Sequence, residues 1–181
     1  EAARYARRIG VRVCLDASFP YPGLERLLPL VDYLICNRHF PQRFTGKKNL
    51  RSALEALADY GCRMTAATLG AKGVLWHSRG KFETQPAFRV DVVDTTGAGD
   101  VFHGAFLAAL CRGMRIKTAV RYAAAAASLS CRALGGQGAL PGHEEVIVLL
   151  RGGDFINTPP GEGQPGRRPG RLRPPTALPR G

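Results

Sequence analysis

The stretch that most constrains this chain is Val92-Val93-Asp94-Thr95-Thr96-Gly97-Ala98-Gly99-Asp100-Val101-Phe102, an extended run that breaks at a small-residue turn and continues as an apolar helix. From Arg89 to Val93 the alternation and β-branching predict the end of a strand. From Ala98 to Arg112 apolar residues recur at helical spacing, through Val101, Phe102, Ala105, Phe106, Ala109 and Leu110. Gly97-Ala98-Gly99 therefore falls at a helix N-terminus. First-turn amides have no intrahelical acceptor and the helix dipole is positive there, so the turn suits a phosphate, which small side chains admit close to the backbone. Asp100 stands in the same turn. A carboxylate beside an anion carries an electrostatic penalty unless it works, and the fitting work is taking a proton from a hydroxyl that attacks phosphorus. On these residues alone, a turn whose glycines serve only the helix start stays open. Two other glycine motifs do not fit: Gly97, Gly99 and Gly104 lack the G-x-G-x-x-G spacing, and no G-x-x-x-x-G-K-[ST] occurs.

The rest of the chain alternates strand and helix patterns. Glu1 to Arg8 opens in mid-helix character; Val11 to Leu15 predicts a strand that stops at Asp16, and Gly23 to Leu30 a short helix. Val31 to Cys36 predicts a second strand stopped by Asn37, and Asn49 to Tyr60 an amphipathic helix closed by Gly61. Cys62 to Leu69 is a third strand, and Gly73 to Ser78 with Phe82 to Ala87 a hairpin-like pair. Helices follow over Ile116 to Leu134 and from about His143 to Leu150, separated by a glycine loop. This order predicts a three-layer α/β/α sheet with parallel core strands and an antiparallel edge. Ligands collect at the carboxyl ends of such strands, where Asp16, Asn37, Gly70 and Asp94 are expected.

Thr68-Leu69-Gly70-Ala71-Lys72-Gly73 is the second informative turn, its glycines permitting positive φ and close backbone approach after a buried strand. Taken together, the seven residues Asp94 to Asp100 followed by Val101-Phe102-His103-Gly104-Ala105-Phe106 closely resemble the C-terminal signature of the PfkB-type (ribokinase-like) carbohydrate kinases. Thr68 to Gly73 resembles the nucleotide-contacting turn of the same family. The resemblance implies a ribokinase-like fold with ATP as phosphoryl donor, a sugar or sugar-like alcohol as acceptor, Asp100 as general base, and Gly97, Ala98 and Gly99 as the anion hole. It implies nucleotide contact at Thr68, Gly70 and Gly73, a phosphate and magnesium region at Asn37, and K+ or another monovalent cation at Asp94 and Thr96. Asn37-Arg38-His39-Phe40 lacks the glutamate of the family's Asn-x-x-Glu, so Mg2+ is expected to ride mainly on the nucleotide. The small residues Ala123 to Ala127 resemble the helix that makes room for adenine. The match corresponds to the C-terminal half of the family fold, with the N-terminal half absent, so the chain is expected to be an inactive fragment of a longer kinase, which leaves a homodimer of the full-length parent open.

The net charge of +12 is not one surface: from Arg151 onward six arginines oppose Asp154 and Glu162, a balance of +4 that leaves +8 for the preceding residues. Those charges are scattered, without a basic helix or interleaved aromatics, so neither a specific nucleic-acid partner nor a membrane is expected. Pro, Gly and Arg dominate from Gly152 to Gly181, which predicts a disordered tail (152–181) after one folded unit (1–151). Five cysteines without a C-x-x-C pair predict small buried hydrophobes in a reducing, cytoplasmic setting, and the histidines have no spacing for a structural metal. Two further readings stay open: a remnant that binds nucleotide or phosphate without turnover, and, with the least support, a basic nucleic-acid-binding fragment.

Overall fold

The computed structural model describes residues 1–154. Five strands form one sheet in the order β1-β2-β3-β4-β5: Cys14–Ala17, Tyr33–Asn37, Met64–Thr68, Val74–Ser78 and Lys81–Gln85. β1, β2 and β3 pair in parallel, and β4 and β5 close the sheet antiparallel, the mixed sheet that the alternation predicted. Seven α-helices accompany them among the described residues: α1 Ala2–Arg8, α2 Leu24–Leu27, α3 Phe40–Thr45, α4 Leu50–Ala58, α5 Ala98–Cys111, α6 Ile116–Ser130 and α7 His143–Gly152.

Strand periodicity sorts the core into two layers. On one face Tyr33, Ile35, Met64, Ala66, Val74 and Trp76 pack against α5, α6 and α7. On the other, Leu34, Cys36, Ala67 and Leu75 pack against α2, α3 and α4. The central strands are apolar on both faces because both are covered. Phe106 seats α5 on the sheet by meeting the Tyr33 ring edge-on, with centroids 5.5 Å apart. α4 begins where Asn49 Oδ1 accepts the N–H groups of Arg51 and Ser52, at 2.8 and 3.3 Å. It buries Ala53, Leu54 and Leu57.

Three expectations change. Residues 89–93 belong to no strand; Val93 and Asp94 instead donate their N–H groups to the Cys131 carbonyl, so the segment is tied to the end of α6 rather than to the sheet. α3 was not predicted. Its signals are local: Pro41 in the first turn, Phe40 stacked on Phe44 one turn later, and Gly46 at φ 70 ending it. Finally, Gly152 belongs to α7 and the Asp154 carbonyl accepts the Arg89 N–H at 2.7 Å, so backbone pairing runs past residue 151. The remainder of the predicted tail, 155–181, lies outside the described residues.

Candidate active site

The Asp94 to Asp100 loop is shaped by one carboxylate. Asp94 Oδ1 accepts the Thr96 N–H at 2.9 Å and the Thr96 hydroxyl at 2.8 Å, while Oδ2 accepts the Gly135 N–H at 2.8 Å from across the fold. The amides of Thr96 and Gly135 and the Thr96 hydroxyl hold the Asp94 carboxyl below its ordinary range. Asp94 and Thr96 thus clip the loop to the 133–138 segment, whatever else they bind. Gly97 then caps α5 with φ 76, and a Cβ at that position would lie 3.0 Å from Gly136 Cα. Only glycine satisfies both the left-handed backbone and the close approach.

The first turn of α5 presents its amides unevenly. Ala98 gives its N–H to the Thr95 carbonyl at 3.2 Å and Val101 to that of Gly97 at 2.9 Å. Among the described residues no acceptor takes the N–H groups of Gly97, Gly99 or Asp100. Of the three positions expected to form an anion hole, Gly97 and Gly99 have amides to offer, Ala98 has already spent its own, and the amide of Asp100 joins them. The Asp100 carboxylate is exposed and has no hydrogen bond or ion pair among the described residues. Gly99 is helical, and a Cβ there would meet nothing within 4 Å, so its glycine leaves space over the turn rather than solving a backbone problem.

A cavity of about 280 Å³ joins this turn to the second one. Thr68, Gly70 and Gly73 line it together with Thr95, Ala98 and Gly99, so two turns nearly thirty residues apart in sequence share one wall. The other walls are apolar: Val74, Phe88, Val90, Val92 and Phe102, with Ala124 and Ala127 of α6 opposite. A flat heteroaromatic ring suits such a slot. Ala123 and Ala125 are instead part of the core behind it. Ser128 and Cys131, which also line the cavity, were missed in the sequence, as were Phe88, Val90 and Val92 as wall residues. Gly73, at φ 82, is required sterically, since a Cβ would fall 2.0 Å from the Gln85 carbonyl oxygen. A larger depression of about 620 Å³ lies elsewhere, among α1, β1 and α2, and neither of these two turns lines it.

Asn37 is at the carboxyl end of β2, beside Thr68. Its Oδ1 accepts the N–H groups of His39 and Phe40, both at 3.0 Å, and its Nδ2 donates to the Ser18 carbonyl at 2.9 Å. Phe40, where the glutamate was absent, is fully buried in the core. Among the described residues no group of three or more His, Cys, Asp or Glu side chains could hold a metal ion.

His103 is one turn beyond Gly99 and was given no role by its spacing. Its Nδ1 is 2.9 Å from the Gly99 carbonyl and 3.4 Å from Asp16 Oδ2, and its Nε2 is 3.4 Å from the Ile35 carbonyl. Of the cysteines, Cys36 and Cys131 are buried and Cys14 and Cys62 half-buried, but Cys111 is exposed, contrary to expectation. Burial pushes the Cys14 thiol up to about 12 and that of Cys62 to about 11. Among the described residues no helix is long and apolar enough to cross a membrane.

Comparison with known proteins agrees with this geometry. The ribokinase of Haemophilus influenzae is 34% identical over 154 residues, covering 82% of this chain and 50% of that protein. The Bacillus subtilis ribokinase is 35% identical over 155 residues, again covering 50% of its length. The crystal structure of Thermotoga maritima ribokinase superposes with a TM-score of 0.73 at 34% identity, over 83% of this chain and 52% of the other. That of Arabidopsis thaliana ribokinase, complexed with ribose and ATP, gives 0.73 at 32% identity, over 82% and 50%. The chain spans about half the length of the curated relatives it matches. A family model described as pfkB family carbohydrate kinase matches residues 1–142, most of the chain, and with the α/β/α sheet and the two facing turns, it follows that the chain belongs to the pfkB family of carbohydrate kinases.

Proposed function

We propose that this chain is the nucleotide-binding and catalytic-base part of an ATP-dependent sugar kinase. The observation that carries the reading is the juxtaposition, in one turn, of the unpartnered amides of Gly97, Gly99 and Asp100 with an unpartnered Asp100 carboxylate, at the mouth of an apolar cavity. Adenine and ribose occupy the cavity between Thr68, Gly70, Gly73 and the α6 alanines, and the phosphates lie over the start of α5. The Asp100 carboxylate takes the proton from a sugar hydroxyl as its oxygen bonds to the γ-phosphorus. The bond from that phosphorus to the bridging oxygen breaks and ADP departs, while the free amides face the charge on the transferring group. Mg2+ carried on the nucleotide would supply charge neutralisation of the phosphates. Asn37 borders the phosphates as a fixed loop cap, and a monovalent cation at Asp94 and Thr96 would have to share oxygens already accepting three hydrogen bonds.

The reading places the chain in the C-terminal half of a longer kinase. That placement rests on the resemblance of Asp94 to Asp100 to the family's C-terminal signature; the half-length match to relatives fits a part of a longer kinase and does not say which part. Substrate-dependent ADP release tests the function, assayed with hexoses, pentoses and nucleosides on the 181-residue chain and on a full-length kinase carrying it. Activity abolished by Asp100→Asn in the full-length protein supports the reading. Expected of the chain alone is nucleotide binding without turnover, because positioning of the acceptor hydroxyl supplies an effective molarity of ~10⁵ to 10⁸ M in such reactions.

A further inference from the structure

We propose that the Ser128 hydroxyl selects the base of the bound nucleotide by donating its hydrogen to a ring nitrogen, a role that rests on the nucleotide reading above. Ser128 is 9% exposed and lines the cavity of about 280 Å³ together with Ala124, Ala127 and Cys131. These residues stand three and four positions apart, so one face of α6 and the residue that ends it form this wall. An alanine would fill the wall as well as a serine does, so the hydroxyl calls for a polar account. Part of that account is internal: Ser128 Oγ accepts the N–H of Phe88, another wall residue, at 3.2 Å. That bond uses a lone pair of the oxygen and leaves the hydrogen. A serine within a helix ordinarily gives its hydrogen to a carbonyl of the preceding turn. Ser130 does so to Ala127 at 2.9 Å, and the Cys131 thiol reaches the same carbonyl at 3.2 Å. Among the described residues no acceptor takes the hydrogen of Ser128.

The other side-chain donors that line the cavity are placed differently. Thr68 gives its hydroxyl hydrogen to the Cys36 carbonyl at 3.3 Å, Cys131 is committed to Ala127, and Thr95 is exposed. Ser128 is therefore the buried side-chain donor of this slot with its hydrogen unspent. Its chemistry toward a ligand is donation, because the oxygen already accepts from Phe88, and the O–H turns about the Cβ–Oγ bond to meet the acceptor that the ligand brings. A purine carries lone pairs on ring nitrogens in the plane of its rings. Between apolar walls such a bond weighs more than it does in water, and a base with C–H at the same edge would leave the donor unpaired. The site then discriminates by the bond it would lose.

Calorimetric titration of the 181-residue chain with ADP and with its 1-deaza, 3-deaza and 7-deaza analogues tests the role. Each analogue keeps the shape of the base and replaces one acceptor nitrogen by C–H. One of the three is expected to bind the wild-type chain roughly three- to tenfold more weakly than ADP, the worth of one hydrogen bond. Ser128→Ala should lose the same factor against ADP and the two other analogues, and nothing against the weak one, where the bond is already missing. A serine that served only to hold Phe88 would lower all four affinities together in Ser128→Ala, and that result overturns the proposal. So does a wild-type chain that binds all three analogues as tightly as ADP, a comparison that needs no variant and decides the matter even where Ser128→Ala does not fold. A chain that binds none of the four ligands overturns the nucleotide reading and this proposal with it. ADP binding that Ser128→Ala leaves unchanged keeps the reading and removes the proposal alone.

Discussion

The two ends of the sheet treat an aspartate in opposite ways. At the amino ends of the strands, Asp32 is 7% exposed in its side chain and fully engaged: Oδ2 accepts the Val13 N–H at 2.9 Å, Oδ1 accepts Arg63 Nε at 3.0 Å, and Arg7 stands 4.0 Å away. Toward the carboxyl ends, Asp100 is exposed and has no partner among the described residues. A carboxylate with its acceptors satisfied stabilises; one left unsatisfied beside free amides is available to bind and react. The same residue type therefore marks the supporting end and, on the proposed reading, the working end of one sheet, and the difference lies in what surrounds it.

The largest effect should come from the working end. In a full-length kinase carrying this chain, Asp100→Asn is expected to reduce turnover ~10² to 10⁴-fold with melting temperature and nucleotide affinity retained, because an amide cannot accept the proton. Near-normal turnover by coupled ADP release would erase the contrast with Asp32. Asp32→Ala should do the reverse, destabilising the chain by about 1–3 kcal/mol in urea unfolding while leaving ATP-analogue affinity per folded molecule unchanged, since the Val13 N–H loses its acceptor. Arg63, with its side chain 59% exposed, can turn to water and keeps the loss from being larger.

The two glycines of the turn sharpen the comparison within the site. Gly97→Ala is expected to destabilise by about 1–2 kcal/mol, from the left-handed φ and the 3.0 Å approach to Gly136. Gly99→Val, at a helical position with nothing within 4 Å, should leave the melting temperature almost unchanged yet weaken the ATP analogue by crowding its phosphate. A folded Gly99→Val protein with unaltered affinity would remove the phosphate from this turn. Smaller still is the pH response of the Asp94 clip. Its carboxyl is held low in the folded chain, so its contribution is complete above the unfolded aspartate value of ~3.9 and is lost as pH falls through the folded value beneath it. The Gly135 and Thr96 amide resonances should titrate together in that acid window and nowhere above it. Least of all, a thiol reagent at neutral pH should modify exposed Cys111 quickly and leave half-buried Cys14 and Cys62 nearly untouched.

Much of this was legible beforehand because it was written locally. β2 announced itself by an apolar run ending at Asn37, α4 by Asn49 and its apolar stripe, and the start of α5 by Gly97 to Asp100 at the head of an apolar run, whereas β1 spans Cys14–Ala17, running through the Asp16 expected to stop it and leaving Val11 to Val13 outside. Residues 89–93 misled because β-branched extended sequence does not say whether its amides meet a strand or, as with Val93, the end of a helix. α3 was hidden because its evidence, an aromatic pair and two capping positions, is spread over fewer than ten residues. His103 was invisible for a different reason. Its partners Asp16 and Ile35 come from two other strands, and no periodicity within α5 foretells them.

The order of strands also bears on how the chain reaches this state. β3, β4 and β5 form an antiparallel meander closed by short turns, and α5 and α6 follow one another directly. β1, β2 and β3 are joined through intervening helices, and their pairings span longer loops that close more slowly. Trp76, the single tryptophan, is in the middle of β4. Its fluorescence on refolding should report an early phase, in which the meander gathers before the parallel strands register against it.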